Sequence, residues 1–328
     1  MSRIYYRGGM SPFETISPGY ILTHNVIGTN VGNFLYLNGV LRSLMIDDNT
    51  VIQANYYNTN YYKPEYVNEN FDCFVIPLAD AFRENFVNEL NELTSFVKKL
   101  KIPCYVIGVG LKESYEPDFS QPKPQDEAVK KFVTAVLEKS NCIGVRGELT
   151  GKYLETLGFA EGRDFMVIGC PSMYMKGKRL HIQNPKLDVN SKVCFNSNVA
   201  ASVPTRKFIK LKMKEFENHY FIGQVVNELR SIYLGAPYEY KIEYNFRNVT
   251  DKIYQDGRLR FFCNVPKWME FLNDSDLTFG SRLHGNIAAV LAGTPALLVT
   301  KDSRTRELAE YHHLNAIHES KLNDKLTL

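Results

Sequence analysis

DLTFGSRLHGNIAAVLAGTP, residues 276–295, decides how the rest of the chain is read. Leu277, Thr278 and Phe279 read as a strand buried on both faces. Gly280 permits a sharp exit. Residues 286–292 read as a short helix of small residues, which Gly293 and Pro295 end in the order of cap and breaker. Between strand and helix stand Ser281, Arg282, Leu283, His284 and Gly285. A helix N-terminus presents free N–H groups and a positive dipole end. A guanidinium and an imidazole added there make a pocket for a small dianion. Arginine can grip a carboxylate or phosphate with two parallel hydrogen bonds, which lysine cannot. Histidine can supply a proton near neutral pH. A helix-capping histidine beside a surface arginine accounts for the same residues equally well, so other segments must decide.

Working outward, short apolar runs alternate with amphipathic segments. Strands are expected at 20–25, 73–77, 104–108, 142–146, 165–168, 193–196, 220–222, 277–279 and 296–299. Phe86, Leu90, Leu93, Val97 and Leu100 form one helical stripe; Val129, Phe132, Val133, Val136 and Leu137 form another behind Asp126 and Glu127. Leu149, Tyr153, Leu154 and Leu157 form a third, closed by Gly158. This alternation predicts an α/β fold: two Rossmann-like domains, each a parallel sheet with helices on both faces. The polar stretch KGKRLHIQNPKLDVNS, 176–191, lacks a stripe and carries Pro185. It divides the chain into a domain over residues 1–175, a linker over 176–192 and a domain over 193–328. Residues 112–125 hold Pro117, Pro122 and Pro124 and read as a surface loop, with a mobile flap as the alternative.

Ligands of open parallel sheets bind beyond the carboxyl ends of the strands, so unusual residues at the other strand-to-helix junctions are further site candidates. At 145–150, VRGELT places Arg146 at a strand end before a helix, facing an anion or paired with Glu148. At 28–33, GTNVGN brings Gly28, Asn30 and Asn33 into a loop whose backbone can approach a ligand closely. It is neither GxGxxG nor a Walker loop, and a tight turn is its default reading. At 301–306, KDSRTR offers Ser303 as a helix cap, with Arg304 and Arg306 as anion ligands or solvated charges.

Composition narrows the classes. A net charge of +3 over 328 residues is too small for nucleic acid to be the main partner. The six cysteines are scattered without a CxxC; Cys73, Cys104, Cys142 and Cys194 fall in apolar runs, which suits reduced, buried thiols in a cytoplasmic protein. No thiolate metal site, HExxH, EF-hand or GxSxG is present, so neither metal nor cofactor is expected. His312 and His313 have no ligand partner at metal spacing. Residues 1–10 lack the apolar core of a signal peptide, and no run reaches the roughly 20 apolar residues of a membrane span. The tyrosine-rich stretch 55–66 could stack on a sugar ring, although a packed or solvated loop is the simpler account.

Taken together, these segments resemble the polysaccharide pyruvyltransferase family. The most specific block is TFGSRLHGNIAAVLAGTPALLVTKDSRTRELAEY, 278–311; GTNVGN at 28–33, IGVG at 107–110, VRGELTGKYLETLG at 145–158 and GCPSMY at 169–174 follow the family's order. The resemblance implies a GT-B-like arrangement with an interdomain cleft. The first domain is then the acceptor side and the second the phosphoenolpyruvate side. The implied activity is transfer of pyruvate from phosphoenolpyruvate onto a sugar diol as a ketal, in surface polysaccharide synthesis. The implied donor-binding residues are Ser281, Arg282, Leu283 and His284, with Arg146 as a second arginine and Gly28, Asn30 and Asn33 as further substrate contacts. His284 is the expected general acid. Asn33 stands where many relatives carry aspartate, and a long C-terminal crossing helix is expected to be short or absent. A lipid-linked acceptor would bring the protein to the inner face of the membrane, and self-association is left open. Two alternatives remain from the residues: a GT-B glycosyltransferase using a nucleotide sugar, and a non-catalytic sugar- or anion-binding module.

Overall fold

Twelve short strands, all in parallel pairings, carry the described part of the chain. The computed structural model describes residues 2–24, 26–45, 49–198, 200–238, 246–323, 325–326 and 328. One sheet contains β1 (Arg3–Tyr6), β2 (Val51–Ala54), β3 (Cys73–Pro77) and β4 (Cys104–Ile107), in the order β2-β1-β3-β4. β5 (Ile143–Val145) and β6 (Phe165–Val167) extend it: Val109 bridges Val145, and the Gly108 N–H donates to Gly144 O. The other sheet contains β7 (Val193–Asn196), β8 (His219–Gly223), β9 (Leu259–Phe261), β10 (Leu277–Gly280), β11 (Ala296–Thr300) and β12 (Ala316–His318). Its order is β12-β11-β10-β7-β8-β9. The fold is therefore α/β with two parallel sheets, as the sequence pattern requires.

The helices in chain order are α1 (Pro18–Thr23), α2 (Gly32–Leu44), α3 (Pro64–Asn70), α4 (Val87–Lys98), α5 (Asp126–Leu137) and α6 (Glu148–Thr156). They continue with α7 (Val203–Met213), α8 (Val226–Leu234), α9 (Lys252–Gln255), α10 (Val265–Asn273), α11 (Leu283–Ala292) and α12 (Ser303–Tyr311). The three expected stripes form α4, α5 and α6, and Gly158 takes the left-handed φ of 95° after α6. α11 is apolar all round and nearly every residue of it is buried, which is why its sequence is made of small side chains.

The chain forms two compact units. The first comprises Met1–Ser11, Gly39–Met175 and Asp302–His313; the second comprises Pro12–Asn38, Lys176–Lys301 and Leu314–Leu328. One boundary falls at 175/176. The other boundaries exchange two stretches between the halves: the 28–33 loop belongs with the second unit, and α12 with the first.

Three sequence expectations need correction. Residues 20–24 lie in and just after α1 rather than in a strand, and residue 25 lies outside the described residues. Ser17 accepts the Tyr20 N–H and Pro18 opens the helix, so local capping overrides a short apolar run. The helix after β10 starts at Leu283, three residues before its expected start, with Arg282 at the cap. The cap of α12 is Asp302, whose side chain accepts the Thr305 N–H, and Ser303 is the first helical residue. β1, β2, β9 and β12 were not expected. Each is only three or four residues long and carries a polar residue, Arg3, Gln53, Arg260 or His318, that breaks the apolar run.

Candidate functional site

The second sheet reverses its winding between β7 and β10. From β7 the chain moves outward through β8 to β9, then returns to the opposite side of β7 at β10. Open parallel sheets place ligands beyond the carboxyl ends at such a reversal. Here those ends are Asn196 on β7 and Gly280 on β10, paired in register. A Cβ on Gly280 would lie 1.9 Å from the Asn196 carbonyl oxygen, so only glycine lets the two strands meet there. The Asn196 side chain then accepts the Arg282 N–H at 2.8 Å. Ser281 is buried and its Oγ accepts the Asn198 N–H at 3.1 Å. Leu283 is 3% exposed and packs as a core residue.

Arg282 is the centre of this junction and is 7% exposed. Its Nε donates to Ser197 O at 2.7 Å, and one Nη donates to Glu228 Oε1 at 2.9 Å. Glu228 is fully buried on α8; its Oε2 accepts the N–H groups of Gln224 and Val225. One carboxylate therefore fixes both the β8–α8 turn and the guanidinium. Buried ion pairs of this kind add little net stability, but they set geometry firmly. Arg282 also lines a cavity of about 490 Å³ with Thr29, Asn198 and residues 225–227.

The 28–33 loop belongs to the same site. Asn30 bridges Val225, Val31 N–H donates to Gln224 O at 2.8 Å, and Val226 N–H donates to Thr29 O at 3.1 Å. Gly28 and Thr29 both take a left-handed φ, 57° and 66°. Asn30 Oδ1 accepts the Gly32 N–H, and Asn33 Nδ2 donates to Ile27 O and Gly28 O. Both asparagines thus hold the loop's own shape. His284, the second residue of α11, is half-buried beside this loop. A Cβ on Gly32 would lie 3.0 Å from His284 Cβ, and the Tyr36 ring stands 6.1 Å from the imidazole. The structure therefore brings Ser281, Arg282, Leu283, His284, Gly28, Asn30 and Asn33 together in one unit, with Arg282 on the cavity wall and His284 against the loop.

Arg146 lies in the first unit, at the end of β5. It is 0% exposed and its Nε donates to Gly108 O at 2.8 Å. Nearby Glu307, from α12, accepts both the N–H and the Oγ1 of Thr150 at 2.9 Å, at the N-terminal turn of α6. Burial raises the Glu307 pKa to about 7, against the lowering pull of the Thr150 bonds and Arg146. Asp80 after β3 meets Arg83 at 2.8 Å and Arg304 at 3.5 Å. Burial alone raises its pKa, but Arg304, Arg83, Arg146 and Lys112 outweigh it and hold the carboxyl below the usual range. Arg304 thus serves Asp80, and Arg306 pairs with Glu310. His312 Nε2 accepts the Cys170 N–H at 2.7 Å; burial first, then Arg146 and His313, depress its pKa to about 4. The 112–125 loop is tied to its own unit: Glu113 N–H donates to Ser303 Oγ, and Lys123 pairs with Glu113.

A model of the family described as polysaccharide pyruvyl transferase matches residues 30–303. The chain belongs to the polysaccharide pyruvyl transferase family. For this transferase-family chain, none of the curated proteins gives a significant match. Its fold is similar to UDP-GlcNAc 2-epimerase of Methanocaldococcus jannaschii, solved with UDP-GlcNAc and UDP: TM-score 0.50, 11% identity, 97% of this chain and 89% of that one. It is also similar to a functionally uncharacterised protein from Klebsiella pneumoniae: TM-score 0.50, 10% identity, 96% and 92% covered. At such identities the likeness is one of fold, GT-B-like α/β. Among the described residues no group of three or more His, Cys, Asp or Glu could hold a metal ion. No helix among them is long and apolar enough to cross a membrane.

Glu228 and Asn196 are the neighbours of Arg282 that the sequence pattern does not reveal. Glu228 stands three residues after Val225, where a glutamate ordinarily closes a helix N-terminus, and nothing in VVNELRS marks it as the partner of Arg282.

Proposed function

We propose that the protein transfers pyruvate from phosphoenolpyruvate to a pair of sugar hydroxyls, forming a ketal in polysaccharide synthesis. Family membership supports pyruvyl transfer and a polysaccharide; the observation that supports this donor is Arg282, held on a cavity wall at the sheet reversal two residues before His284. Phosphoenolpyruvate carries a carboxylate and a phosphate. An oriented guanidinium at a helix start complements such an anion without reorganising when charge develops.

The chemistry follows in balanced steps. His284, protonated, delivers its proton to the methylene carbon, which becomes methyl and leaves a cationic centre at C2. A sugar hydroxyl attacks C2 and releases its proton, which restores the imidazolium. A second hydroxyl attacks the same carbon, the C2–O bond to phosphate breaks, and the departing phosphate takes the second hydroxyl's proton. Arg282 stabilises the charge gathering on the phosphate. Glu228 acts through Arg282, keeping the guanidinium in one orientation. Ser281 and the 28–33 loop shape the walls around them. Arg146 is assigned to donor binding on the resemblance at 145–158, and Arg146→Lys tests it through the KM for phosphoenolpyruvate.

The test offers phosphoenolpyruvate and nucleotide sugars separately. A ligand present at about 100 times its Kd adds roughly 2.7 kcal/mol of stability, a clear rise in Tm. Stabilisation by phosphoenolpyruvate, with phosphate release on adding sugar acceptors, supports the reading. Stabilisation by nucleotide sugars alone would replace it with glycosyl transfer.

A further inference from the structure

The tyrosine-rich stretch 55–66 takes no part in the site above. It follows β2 at the carboxyl edge of the first sheet, the edge where such sheets bind ligands. Tyr56 and Tyr57 are consecutive and both adopt a left-handed backbone, φ 52° and 58°. That conformation is uncommon for any residue with a Cβ, and two bulky ones in succession signal a shape the fold imposes. Asn55 imposes it: it is 1% exposed, and its Oδ1 accepts the N–H groups of Gly8 and Tyr57.

The result is a run of rings held at the surface. Centroids lie 5.1 Å apart for Tyr56 and Tyr61, 4.8 Å for Tyr61 and Tyr62, and 4.5 Å for Tyr62 and Tyr66. Tyr62 packs inward on Tyr5 and the core. Tyr56, Tyr61 and Tyr66 remain 41%, 44% and 43% exposed. A loop that only needed to be solvated would not hold three large rings in this way, and an exposed aromatic cluster marks a binding surface. Beside it, between α3 and α4, a cavity of about 310 Å³ has Pro64 and Phe96 in its wall and Asn60, Asn91, Glu92, Ser95 and Lys99 around them. Flat rings next to amide, hydroxyl and charged groups complement a pyranose, which has one C–H face and a rim of hydroxyls.

We propose that Tyr56, Tyr61 and Tyr66, with the adjoining cavity of mixed apolar and polar lining, form a carbohydrate-binding subsite that holds sugar units of a polymeric acceptor. The proposal takes its ligand class from the polysaccharide reading above and does not depend on phosphoenolpyruvate being the donor.

The test is affinity electrophoresis of the full chain in native gels containing dextran, a β-1,3-glucan or a galactan. The wild type is expected to be retarded in at least one. Tyr61→Ala with Tyr66→Ala should abolish the retardation, at roughly two- to tenfold in affinity per ring, while the corresponding Phe changes keep it. Unchanged melting of the variants shows that the fold is intact. Migration of the wild type equal to that in a blank gel, or equal retardation of the Ala variant, overturns the proposal. A kinetic arm separates the two readings: the double Ala variant should raise KM for a polymeric acceptor and leave KM for phosphoenolpyruvate unchanged. Absence of phosphate release by the wild type would fell the pyruvyl-transfer reading and leave the gel result standing.

Discussion

Two junctions in this chain look alike in sequence and do different work. β10–α11 in the second unit and β5–α6 in the first each end a strand on a buried arginine, Arg282 or Arg146, beside a buried glutamate from another helix. At the first junction Glu228 meets the guanidinium directly at 2.9 Å. At the second, Glu307 turns to the start of α6 and bonds Thr150, while Arg146 donates Nε to Gly108 O. Both glutamates accept N–H groups at a helix start, and the difference is in the other oxygen. Glu228 keeps Oε1 for Arg282 and orients a cation on a cavity wall, whereas Glu307 turns both oxygens to Thr150. Burial outweighs the lowering pull of the Thr150 bonds and of Arg146, and the Glu307 pKa rises to about 7.

The largest effect should come from breaking the direct pair. Arg282→Ala leaves Glu228 buried without its cation and should cost about 3–5 kcal/mol. Replacing both partners by leucine should recover most of that stability in denaturant melts and none of the turnover. A single Arg282→Ala variant as stable as the wild type would show that the pair is not what holds the junction.

The other junction should show itself in pH. The folded Glu307 pKa, about 7, lies above its ordinary value of 4.5. The folded state therefore keeps the proton longer than the unfolded one. The stability this gives is fully present below about pH 4.5 and is lost as pH rises through about 7, on the order of 3 kcal/mol in all. Glu307→Gln should flatten the fall in Tm between those limits. An unchanged slope would mean that Glu307 is ionised throughout.

A smaller effect separates the helix that carries Glu307 from the glutamate itself. Asp302→Ala removes the cap of α12 and should cost about 1 kcal/mol. It also removes a carboxylate that helps to raise the Glu307 pKa, so the fall in Tm should begin at a slightly lower pH. An unmoved fall in Tm would show that Asp302 acts on the helix end alone.

Much of the fold was legible where both faces of a strand are buried, since Cys73–Pro77 and Val193–Asn196 read as unbroken apolar runs. Arg3–Tyr6 and Ala316–His318 hid because Arg3 and His318 interrupt their apolar runs, whereas the equally short Ile143–Val145 and Phe165–Val167 lie in uninterrupted ones. The SRLH junction was legible because glycine, arginine and histidine each have a chemical reason to stand between a strand and a helix. Its partners were not: Glu228 meets Arg282 across 54 residues and Glu307 meets Thr150 across 157, and neither separation leaves a local signal. The membership of the 28–33 loop in the second unit was hidden for the same reason, since it rests on backbone bonds to Gln224 and Val226.

Proton delivery by His284 to a donor held by Arg282 is tested most directly by phosphate release from phosphoenolpyruvate with a sugar acceptor, wild type against His284→Ala. The wild type should release phosphate steadily, and a variant that melts normally should lose about 10²–10⁴-fold in kcat. Near-normal turnover by His284→Ala would contradict it.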